Sequence, residues 1–337
     1  MKEETTGRAA VLHRPGELKI ELVQTPSVGP TEVLVQVKYV SLCGSDFKLF
    51  QGSHPNQPEG PLIPGHEWAG RVIRAGELVV GLSPGDWVTG DCSLYCGRCK
   101  MCSVNKNLCD HGQKFGITCD GALRQWLVIP AGYLYKIPEG LPVSLASVTE
   151  PFAVAIEAVS DLNVRDKKAI VTGGGIIGLA AALVLHSKGA RVNLVEVSPD
   201  RRVLLRQALG ERTLVSGANP GGHYHVAVEA SGQPECVAGL YNVLVPAGDL
   251  ILLGHVTAPV SIKEIVKKAL RVRGSIGGTG SFPQAMDILS REKDNIQKAL
   301  RFFTFEDIGP VLSSGNYAVK SALKAIIKIG GDNDVET

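Results

Sequence analysis

Five cysteines lie within eighteen residues of this chain, in the segment CSLYCGRCKMCSVNKNLC at 92–109. The last four, Cys96, Cys99, Cys102 and Cys109, have the spacing C-x2-C-x2-C-x6-C. Four thiolates suit a closed tetrahedral zinc site, which stabilises a fold but leaves no coordination position for water or substrate. The sequence therefore predicts a structural zinc ion here, and any chemistry must take place elsewhere.

The same segment allows a second interpretation, because Cys92, Cys96 and Cys99 also form the pattern C-x3-C-x2-C. Three cysteines at this spacing could hold a 4Fe-4S cluster with one iron free for radical chemistry with S-adenosylmethionine. Radical chemistry at such a cluster would not require the dinucleotide-binding motif that the chain also contains, at residues 173–178. Cys92 could equally be a buried thiol that binds no metal.

The segment GGGIIG contains the pattern G-x-G-x-x-G, formed by Gly173, Gly175 and Gly178 with Ile176 and Ile177 in between. It follows the predicted strand KKAIVTG and opens a predicted helix, which is the context that the dinucleotide-binding fingerprint requires. Glycines at these positions allow a tight turn and a close approach of the backbone to a pyrophosphate. We therefore predict a dinucleotide cofactor.

The residue after the next predicted strand, RVNLV, bears on which cofactor is bound. Glu196 follows Gly175 by 21 positions, where a carboxylate can accept hydrogen bonds from a ribose 2'-hydroxyl and would repel a 2'-phosphate. This favours NAD. Arg201 and Arg202 lie close by and could accommodate a 2'-phosphate, so NADP remains an alternative.

Two other short stretches could together hold a catalytic metal ion: VSLCGSDFKLF with Cys43, and IPGHEWAGRV with His66 and Glu67. Thiolate, imidazole and carboxylate form a zinc site with three protein ligands and an open position that can polarise an alcohol or water. Alone, a cysteine in a β-rich segment is more often a small buried hydrophobic residue. In combination with a nicotinamide cofactor, the set predicts hydride transfer from an alcohol.

Length and composition limit the remaining possibilities. A chain of 337 residues favours two domains, and 44% apolar with 20% charged residues is typical of an ordinary globular protein. A formal charge of +2 without a basic stripe argues against nucleic acid as a partner. The chain shows neither an apolar leader nor an uninterrupted membrane-length segment, so we expect no membrane association and a cytoplasmic location.

The pattern of apolar residues indicates an α/β protein with two kinds of architecture. From Gly7 to about Pro138, short β-rich runs separated by Gly and Pro turns predict a strand-rich domain without a strong helix. From Lys167, strands alternate with helices, which predicts a parallel sheet with a shortened connection before HVAVEASG. After Gly280 we predict two helices, FPQAMDILS and YAVKSALKAIIK.

The sequence resembles the zinc-containing medium-chain dehydrogenases, with PGHEWAGRV, PGDWVTGD, CGRCKMC, TEPFAVAIEAV, GGGIIG and VAVEASG in the order of that family. The resemblance implies a GroES-like catalytic domain at 1–155 with a zinc lobe at 92–109. It further implies a doubly wound Rossmann domain at 156–290 and a C-terminal return to the catalytic domain at 291–337. A homodimer or homotetramer assembled through the Rossmann sheets is also expected.

The resemblance implies roles for individual residues. The catalytic zinc ligands would be Cys43, His66, Glu67 and Glu150. Ser45 would hydrogen-bond the substrate oxygen, and Asp46 would orient the zinc-bound histidine. Two zinc ions per chain are expected. The zinc lobe departs from the family in having six rather than seven residues before Cys109, which predicts a tighter turn in the lobe, with loss of its metal as the alternative.

A carboxylate at Glu150 is similar to the branch of the family that contains sorbitol, threonine and glucose dehydrogenases. The expected substrate is therefore a small polyhydroxylated compound, a polyol, sugar or aminocyclitol, whose secondary alcohol would be oxidised to a ketone. The segments CGSD, PGHEW and EPFAVA are similar to those of aminocyclitol dehydrogenases from antibiotic pathways. A threonine-type amino alcohol dehydrogenase and a non-enzymatic nucleotide-binding module are the alternatives.

The route of the released proton is a separate question, because the family often has a histidine five positions after the zinc-binding cysteine. That position is Lys48 here, and a lysine is a poor proton acceptor at neutral pH. His54, in the loop QGSHPNQPEGP, has the side chain suited to a relay. We expect the proton to leave through Ser45 and the ribose hydroxyls with help from His54, while Lys48 holds a substrate hydroxyl.

Overall fold

The computed structural model describes residues 6–218, 221–315 and 322–330. Its strands, in chain order, are β1 Thr6–Arg14, β2 Glu17–Gln24, β3 Glu32–Ser41, β4 Glu67–Ala75, β5 Trp87–Gly90, β6 Ser93–Leu94, β7 Gln113–Lys114, β8 Trp126–Pro130, β9 Leu134–Lys136, β10 Lys168–Thr172, β11 Arg191–Val195, β12 Thr213–Ser216, β13 Tyr224–Glu229, β14 Leu244–Leu252, β15 Arg271–Gly274, β16 Leu300–Thr304 and β17 Lys324–Lys328. Its α-helices are α1 Gly44–Gln51, α2 Lys100–Val104, α3 Val143–Ala146, α4 Thr149–Val159, α5 Ile176–Ser187, α6 Pro199–Leu209, α7 Pro234–Val243, α8 Ile262–Lys268, α9 Phe282–Ile296 and α10 Ile308–Ser313.

The first large sheet has seven strands in the order β16-β17-β3-β4-β5-β9, with β8 also paired to β3. Strands β3 and β4 are antiparallel, and their register places Ser41 opposite Glu67. On the other side of β3, strand β17 from the C-terminal part pairs in antiparallel register, with Ile326 opposite Ser41. The end of β3, the start of β4 and β17 therefore meet at one point of the sheet.

The second large sheet has six parallel strands in the order β12-β11-β10-β13-β14-β15. The chain enters at β10, moves outward to β12 and then crosses to β13 on the far side of β10. This reversal creates the crevice at which doubly wound sheets bind ligands. The described residues of the β12–β13 connection, 217–218 and 221–223, contain no helix. The expected α/β fold, a strand-rich part together with a Rossmann-like sheet, is confirmed.

Two local expectations were wrong. The region predicted to lack a strong helix contains α1, which begins at a capping box formed by Cys43 and Asp46 and buries Phe47, Leu49 and Phe50. The predicted helix YAVKSALKAIIK lies partly outside the described residues, and its last part is strand β17. In that strand Lys324, Ala325, Ile326 and Ile327 are all buried between β16 and β3, so burial of both faces removes the alternation that identifies a strand.

Helix α4 joins the two sheets. It packs on α5 and α9 and also contacts β4, and Phe152, Ala153, Ala155, Ile156 and Val159 are almost completely buried. Its first turn carries Glu150, and α5 begins at the glycine-rich turn after β10. The helix that carries a predicted metal ligand therefore packs against the helix that begins at the predicted cofactor site. Within the described ranges, none of the helices is both long and apolar enough to span a bilayer.

Candidate metal and cofactor sites

The four predicted structural ligands form one cluster. The sulfur atoms of Cys96, Cys99, Cys102 and Cys109 all lie within 4.8 Å of one another, with 3.5 Å between Cys99 and Cys102 and 3.8 Å between Cys99 and Cys109. Tetrahedral zinc–sulfur bonds of about 2.3 Å require sulfur separations of about 3.8 Å. The donor set therefore fits a zinc ion.

Local structure explains how six residues suffice before the last cysteine. Cys99 caps α2 by accepting the backbone N–H of Cys102, and a 3-10 turn at Lys106–Leu108 then returns the chain. The Cys109 sulfur accepts the backbone N–H of Cys96 at 3.2 Å, which joins the two ends of the segment. The tight turn is therefore compatible with a complete four-thiolate site.

Cys92 belongs to neither group of metal-binding residues found in the described part of the chain. It is 4% exposed, and its sulfur donates to a carboxylate oxygen of Glu150 at 3.3 Å. The fold therefore brings Cys96 and Cys99 together with Cys102 and Cys109, and not with Cys92, as the 4Fe-4S interpretation requires.

A second cluster consists of Cys43, His66 and Glu67, whose ligand atoms also lie within 4.8 Å of one another. The β3–β4 register explains it, because Cys43 lies two residues after Ser41 and His66 directly precedes Glu67, the partner of Ser41. His66 and Glu67 are buried, while Cys43 is partly accessible. A thiol, an imidazole and a carboxylate at the bottom of a cleft match a three-ligand zinc site.

Asp46 joins the two segments that carry these ligands. One carboxylate oxygen accepts the backbone N–H of Cys43 at 2.7 Å, and the other accepts that of Gly65 at 3.2 Å. The second oxygen also lies 3.8 Å from Nδ1 of His66. Asp46 is 1% exposed, so the carboxylate is held beside the imidazole, as expected for a residue that orients a metal-binding histidine.

The electrostatics of this cluster favour a bound cation. Burial lowers the pKa of His66, but Asp46, Cys43 and Glu67 outweigh burial and raise the pKa to about 10. Nδ1 of His66 is buried and has no hydrogen-bond partner among the described residues. Several anionic groups around a buried imidazole are the arrangement that a divalent cation would neutralise, so the residues fit zinc here as well.

Two groups that the sequence analysis did not single out complete the surroundings of Glu67. Lys324 on β17 donates to both carboxylate oxygens, at 2.6 and 2.7 Å, and Ser41 donates through its hydroxyl. Lys324 reaches this point because the backbone N–H of Leu42, next to Ser41, bonds the carbonyl of Ala325. The sequence feature that could have indicated this pair is the lysine inside the apolar run ALKAIIK, because a lysine buried with such a run requires an anionic partner.

Glu150, the fourth predicted ligand, is not part of the Cys43–His66–Glu67 group. It is 9% exposed at the start of α4 and accepts the hydrogen bond from Cys92. Burial raises its pKa, and the nearby charge of Glu67 raises it further. The backbone carbonyl of Ser147, three residues before Glu150, accepts the Ser41 hydroxyl at 3.1 Å, and Ser41 also donates to Glu67. The start of α4 therefore lies next to the group of three, while the Glu150 carboxylate is not part of that group.

The glycine-rich turn has the geometry of a nucleotide cradle. Gly173 has φ +93°, and a Cβ there would lie 2.6 Å from Ser231; a Cβ on Gly178 would lie 1.8 Å from the carbonyl oxygen of Gly173. A Cβ on Gly175, the N-cap of α5, would meet nothing within 4 Å. Two glycines thus allow the turn to close, and the third leaves the helix N-terminus open to a phosphate.

The groups expected to distinguish NAD from NADP lie beside this turn. The Glu196 carboxylate accepts the backbone N–H groups of Gly174 at 2.9 Å and Ser198 at 2.8 Å. Arg202 donates to the carbonyls of Glu196 and Val197, so its guanidinium is occupied locally. Arg201 instead lines the cleft.

That cleft has a volume of about 170 Å³ and joins the two predicted sites. Its lining includes residues of the predicted metal site and of the nucleotide-binding segment: Cys43, Phe47, Glu67 and Lys324, and Gly175, Ile176, Ile177 and Arg201. A catalytic metal ligand and the nucleotide-binding turn therefore line the same cavity.

The remaining predicted residues follow Cys43 along the chain. Ser45 is half-buried in the first turn of α1, and Lys48 is exposed on the same helix. His54 lies beyond the end of α1, where its Nδ1 accepts the backbone N–H of Asn56 at 3.1 Å. Burial lowers the pKa of His54, and the charge of Lys48 lowers it further.

Comparisons with known proteins agree with this architecture. Residues 29–139 match the model of the alcohol dehydrogenase GroES-like domain, and residues 177–291 match that of the zinc-binding dehydrogenases. A zinc-type alcohol dehydrogenase-like protein from Haemophilus influenzae is 30% identical over 330 residues, 93% of this chain and 95% of that protein. L-threonine 3-dehydrogenase from Pyrococcus furiosus is 31% identical over 287 residues, 80% of this chain and 82% of that enzyme.

Among solved structures, a zinc-binding dehydrogenase from Sinorhizobium meliloti bound to NADP superimposes with a TM-score of 0.87. It is 26% identical, and the match covers 96% of this chain and all of that one. The chain therefore belongs to the zinc-containing medium-chain alcohol dehydrogenase family. It is a zinc-dependent alcohol dehydrogenase that uses NAD or NADP.

Proposed function

We propose that this enzyme oxidises a secondary alcohol of a small polyhydroxylated substrate, a polyol, sugar or aminocyclitol, to a ketone with reduction of NAD. The observation that carries the proposal is the Glu150 carboxylate, which lies next to the Cys43–His66–Glu67 group without belonging to it. A carboxylate there can accept hydrogen bonds from a hydroxyl or amino group adjacent to the reacting carbon. A simple alcohol has no such group to offer.

The reaction converts a secondary alcohol and NAD⁺ into a ketone, NADH and one proton. When bound, zinc would supply a Lewis acid for the alcohol oxygen and NAD would supply the hydride acceptor. Cys43, His66 and Glu67 would hold the metal, while Asp46 fixes the imidazole of His66 through its own two backbone hydrogen bonds. The Ser45 hydroxyl would hold the substrate hydroxyl in line with the cofactor. Ile176 and Ile177 form an apolar wall that restricts water in the cleft.

The proton would leave through Ser45 and the ribose hydroxyls, with His54 assisting and Lys48 holding a substrate hydroxyl. His54 suits a relay because burial lowers its pKa, which keeps the imidazole neutral and able to accept a proton. We expect His54→Ala to remove the lower inflection from the pH profile of hydride transfer. Lys48→Ala should mainly raise KM, and the opposite pattern would assign the relay to Lys48.

The preference for NAD is supported by the Glu196 carboxylate, which accepts the backbone N–H of Gly174 in the nucleotide turn, and by the engagement of Arg202 with backbone carbonyls. Arg201, which lines the cleft, is the alternative determinant and would favour NADP. Comparing kcat/KM for the two cofactors decides between them.

We also propose that catalytic residues 1–155 and 291–337 form one domain and residues 156–290 the other, with assembly into a dimer or tetramer through the parallel sheets. In support, β15 is the outer strand of that sheet, and Val260, Ile262 and Val266 in the segment that precedes it along the chain are 60%, 70% and 74% exposed. We expect Val266→Glu to shift the mass measured by light scattering toward the monomer. An unchanged mass would argue against this interface.

The substrate proposal is tested by incubating the enzyme with NAD and a panel of polyols, aldoses, aminocyclitols and amino acids, and by following the absorbance of NADH. Turnover is expected with polyhydroxylated secondary alcohols. L-Threonine is the second candidate, because the relative from Pyrococcus furiosus is an L-threonine 3-dehydrogenase. A kcat/KM for threonine well above that of every polyol would replace the proposal with this candidate, and activity only on simple alcohols would refute both.

A further inference from the structure

The hydrogen bond between Cys92 and Glu150 has no part in the chemistry described so far. Cys92 is 4% exposed and Glu150 is 9% exposed, and the sulfur lies 3.3 Å from the carboxylate oxygen. In this hydrogen bond the Cys92 sulfur donates and the Glu150 carboxylate oxygen accepts, so Cys92 takes part as a thiol. It is the one side-chain hydrogen bond recorded for Glu150 within the described residues.

The position of Cys92 is determined by the base of the four-thiolate lobe. Its carbonyl accepts the backbone N–H of Phe115 at 2.9 Å, where the chain leaves the lobe. The next residue, Ser93, accepts a hydrogen bond from Lys114 at 2.6 Å and contacts the Asn107 amide oxygen at 3.3 Å. Cys92 therefore lies where the two ends of the lobe are tied together.

The helix that carries Glu150 is also restrained by the lobe, through the segment 278–279. The amide oxygen of Asn107 accepts the Thr279 hydroxyl at 2.8 Å. The neighbouring Gly278 lies so close to α4 that a Cβ would be 2.6 Å from Ala153. Because Glu150 is in the first turn of α4, the lobe holds both the helix that carries the carboxylate and the thiol that binds it.

We propose that Cys92 is a positioning residue for Glu150, whose thiol holds the carboxylate next to the Cys43–His66–Glu67 group and prevents it from joining the group as a fourth ligand. The inference rests on the proposed function, in which Glu150 receives a substrate hydroxyl. Zinc with three protein ligands keeps a position for substrate, whereas a fourth carboxylate would compete for that position. The hydrogen bond from Cys92 thus keeps the site open.

The test uses the full-length enzyme with Co²⁺ exchanged into the Cys43–His66–Glu67 site and zinc retained by the four-thiolate lobe. The visible absorption of Co²⁺ reports coordination without any substrate. Cys92→Ala and the similarly sized Cys92→Val remove the donor, Cys92→Ser retains it, and Cys236→Ala removes a thiol on α7 as the matched control. We expect Ala and Val, but not Ser or the control, to change the Co²⁺ spectrum.

A second variant identifies the ligand responsible. The double variant Cys92→Ala/Glu150→Gln should have the same Co²⁺ spectrum as Glu150→Gln alone, because the Glu150 carboxylate that would bind the metal is then absent. With a polyhydroxylated substrate, Cys92→Ala should raise KM roughly 2–10-fold, as expected for loss of one hydrogen bond, and Cys92→Ser should recover most of the loss.

The inference is overturned if Cys92→Ala and Cys92→Val have the wild-type spectrum, or if Cys92→Ser is as altered as Cys92→Ala. Should Cys92→Ala fail to fold, the Val and Ser variants decide the question by the same criterion. Because the spectrum needs no substrate, a changed spectrum without polyol turnover would refute the proposed function and leave the positioning role intact.

Discussion

Replacing Lys324 tests how the buried charges around the catalytic site are balanced. Lys324 is 5% exposed, Glu67 is 1% exposed, and the ammonium lies 2.6 Å from the carboxylate. Burial lowers the pKa of Lys324, but Glu67 and Cys43 outweigh it and raise the pKa, so the lysine is charged. At this distance and an effective dielectric constant of 20, the gross attraction is about 6 kcal/mol, which is offset by the cost of burying both ions.

Lys324→Ala would leave the Glu67 carboxylate buried without its partner. Removing one member of a buried pair typically costs about 3–5 kcal/mol, and for a protein of this size we expect the unfolding temperature of the metal-free enzyme to fall by roughly 10 °C. With zinc bound, the cation compensates Glu67, so the loss should be clearly smaller. Lys324 therefore matters most before the metal is loaded.

The assay is thermal unfolding of wild type and variant, each with chelator and with zinc. Lys324→Arg keeps the charge and should lose less stability than Lys324→Ala. Lys298→Ala, at an exposed position in the 3-10 turn Gln297–Ala299, is the control for removing a positive charge. A loss below about 1 kcal/mol in the metal-free protein would show that the pair contributes little. An equal loss with and without zinc would refute the compensation of Glu67 by the metal.

Three further results follow from the geometry. Gly178→Ala, whose Cβ would lie 1.8 Å from a backbone oxygen, should abolish NADH binding in a fluorescence titration, whereas Gly132→Ala, with open space around it, should bind normally. Elemental analysis should find two zinc ions in the wild-type enzyme and one in each of the variants Cys99→Ser and Cys43→Ser. Cys99→Ser should mainly lower the unfolding temperature, whereas Cys43→Ser should abolish turnover with little change in that temperature. Iron in place of zinc would contradict the assignment of both sites. Glu196→Gln should narrow the ratio of kcat/KM between NAD and NADP, and a wild-type enzyme without a preference would show that Glu196 is not the determinant.

The sequence alone predicted the features that depend on short spacings. Cys96 to Cys109 form one cluster because ligands within fourteen residues can meet through local turns, as α2 and the 3-10 turn show. Gly173 and Gly178 have the geometry that the fingerprint predicts, since a turn between a strand and a helix is a local structure. The α/β architecture was predictable for the same reason, because alternating strands and helices are visible as a change in periodicity.

The tertiary structure decided what lies around those motifs. Lys324 meets Glu67 across 257 residues and Cys92 meets Glu150 across 58, and both contacts depend on how distant strands and helices pack. The strand β17 could not be distinguished from a helix by its sequence, because a short run buried on both faces has neither the period of a strand nor that of a helix. Local spacing thus predicted the four thiolates and the glycine-rich turn, and residue types with the family resemblance predicted Cys43, His66 and Glu67. The meeting of these three, their charge partners and the place of Glu150 depended on sheet register and helix packing, which no local pattern encodes.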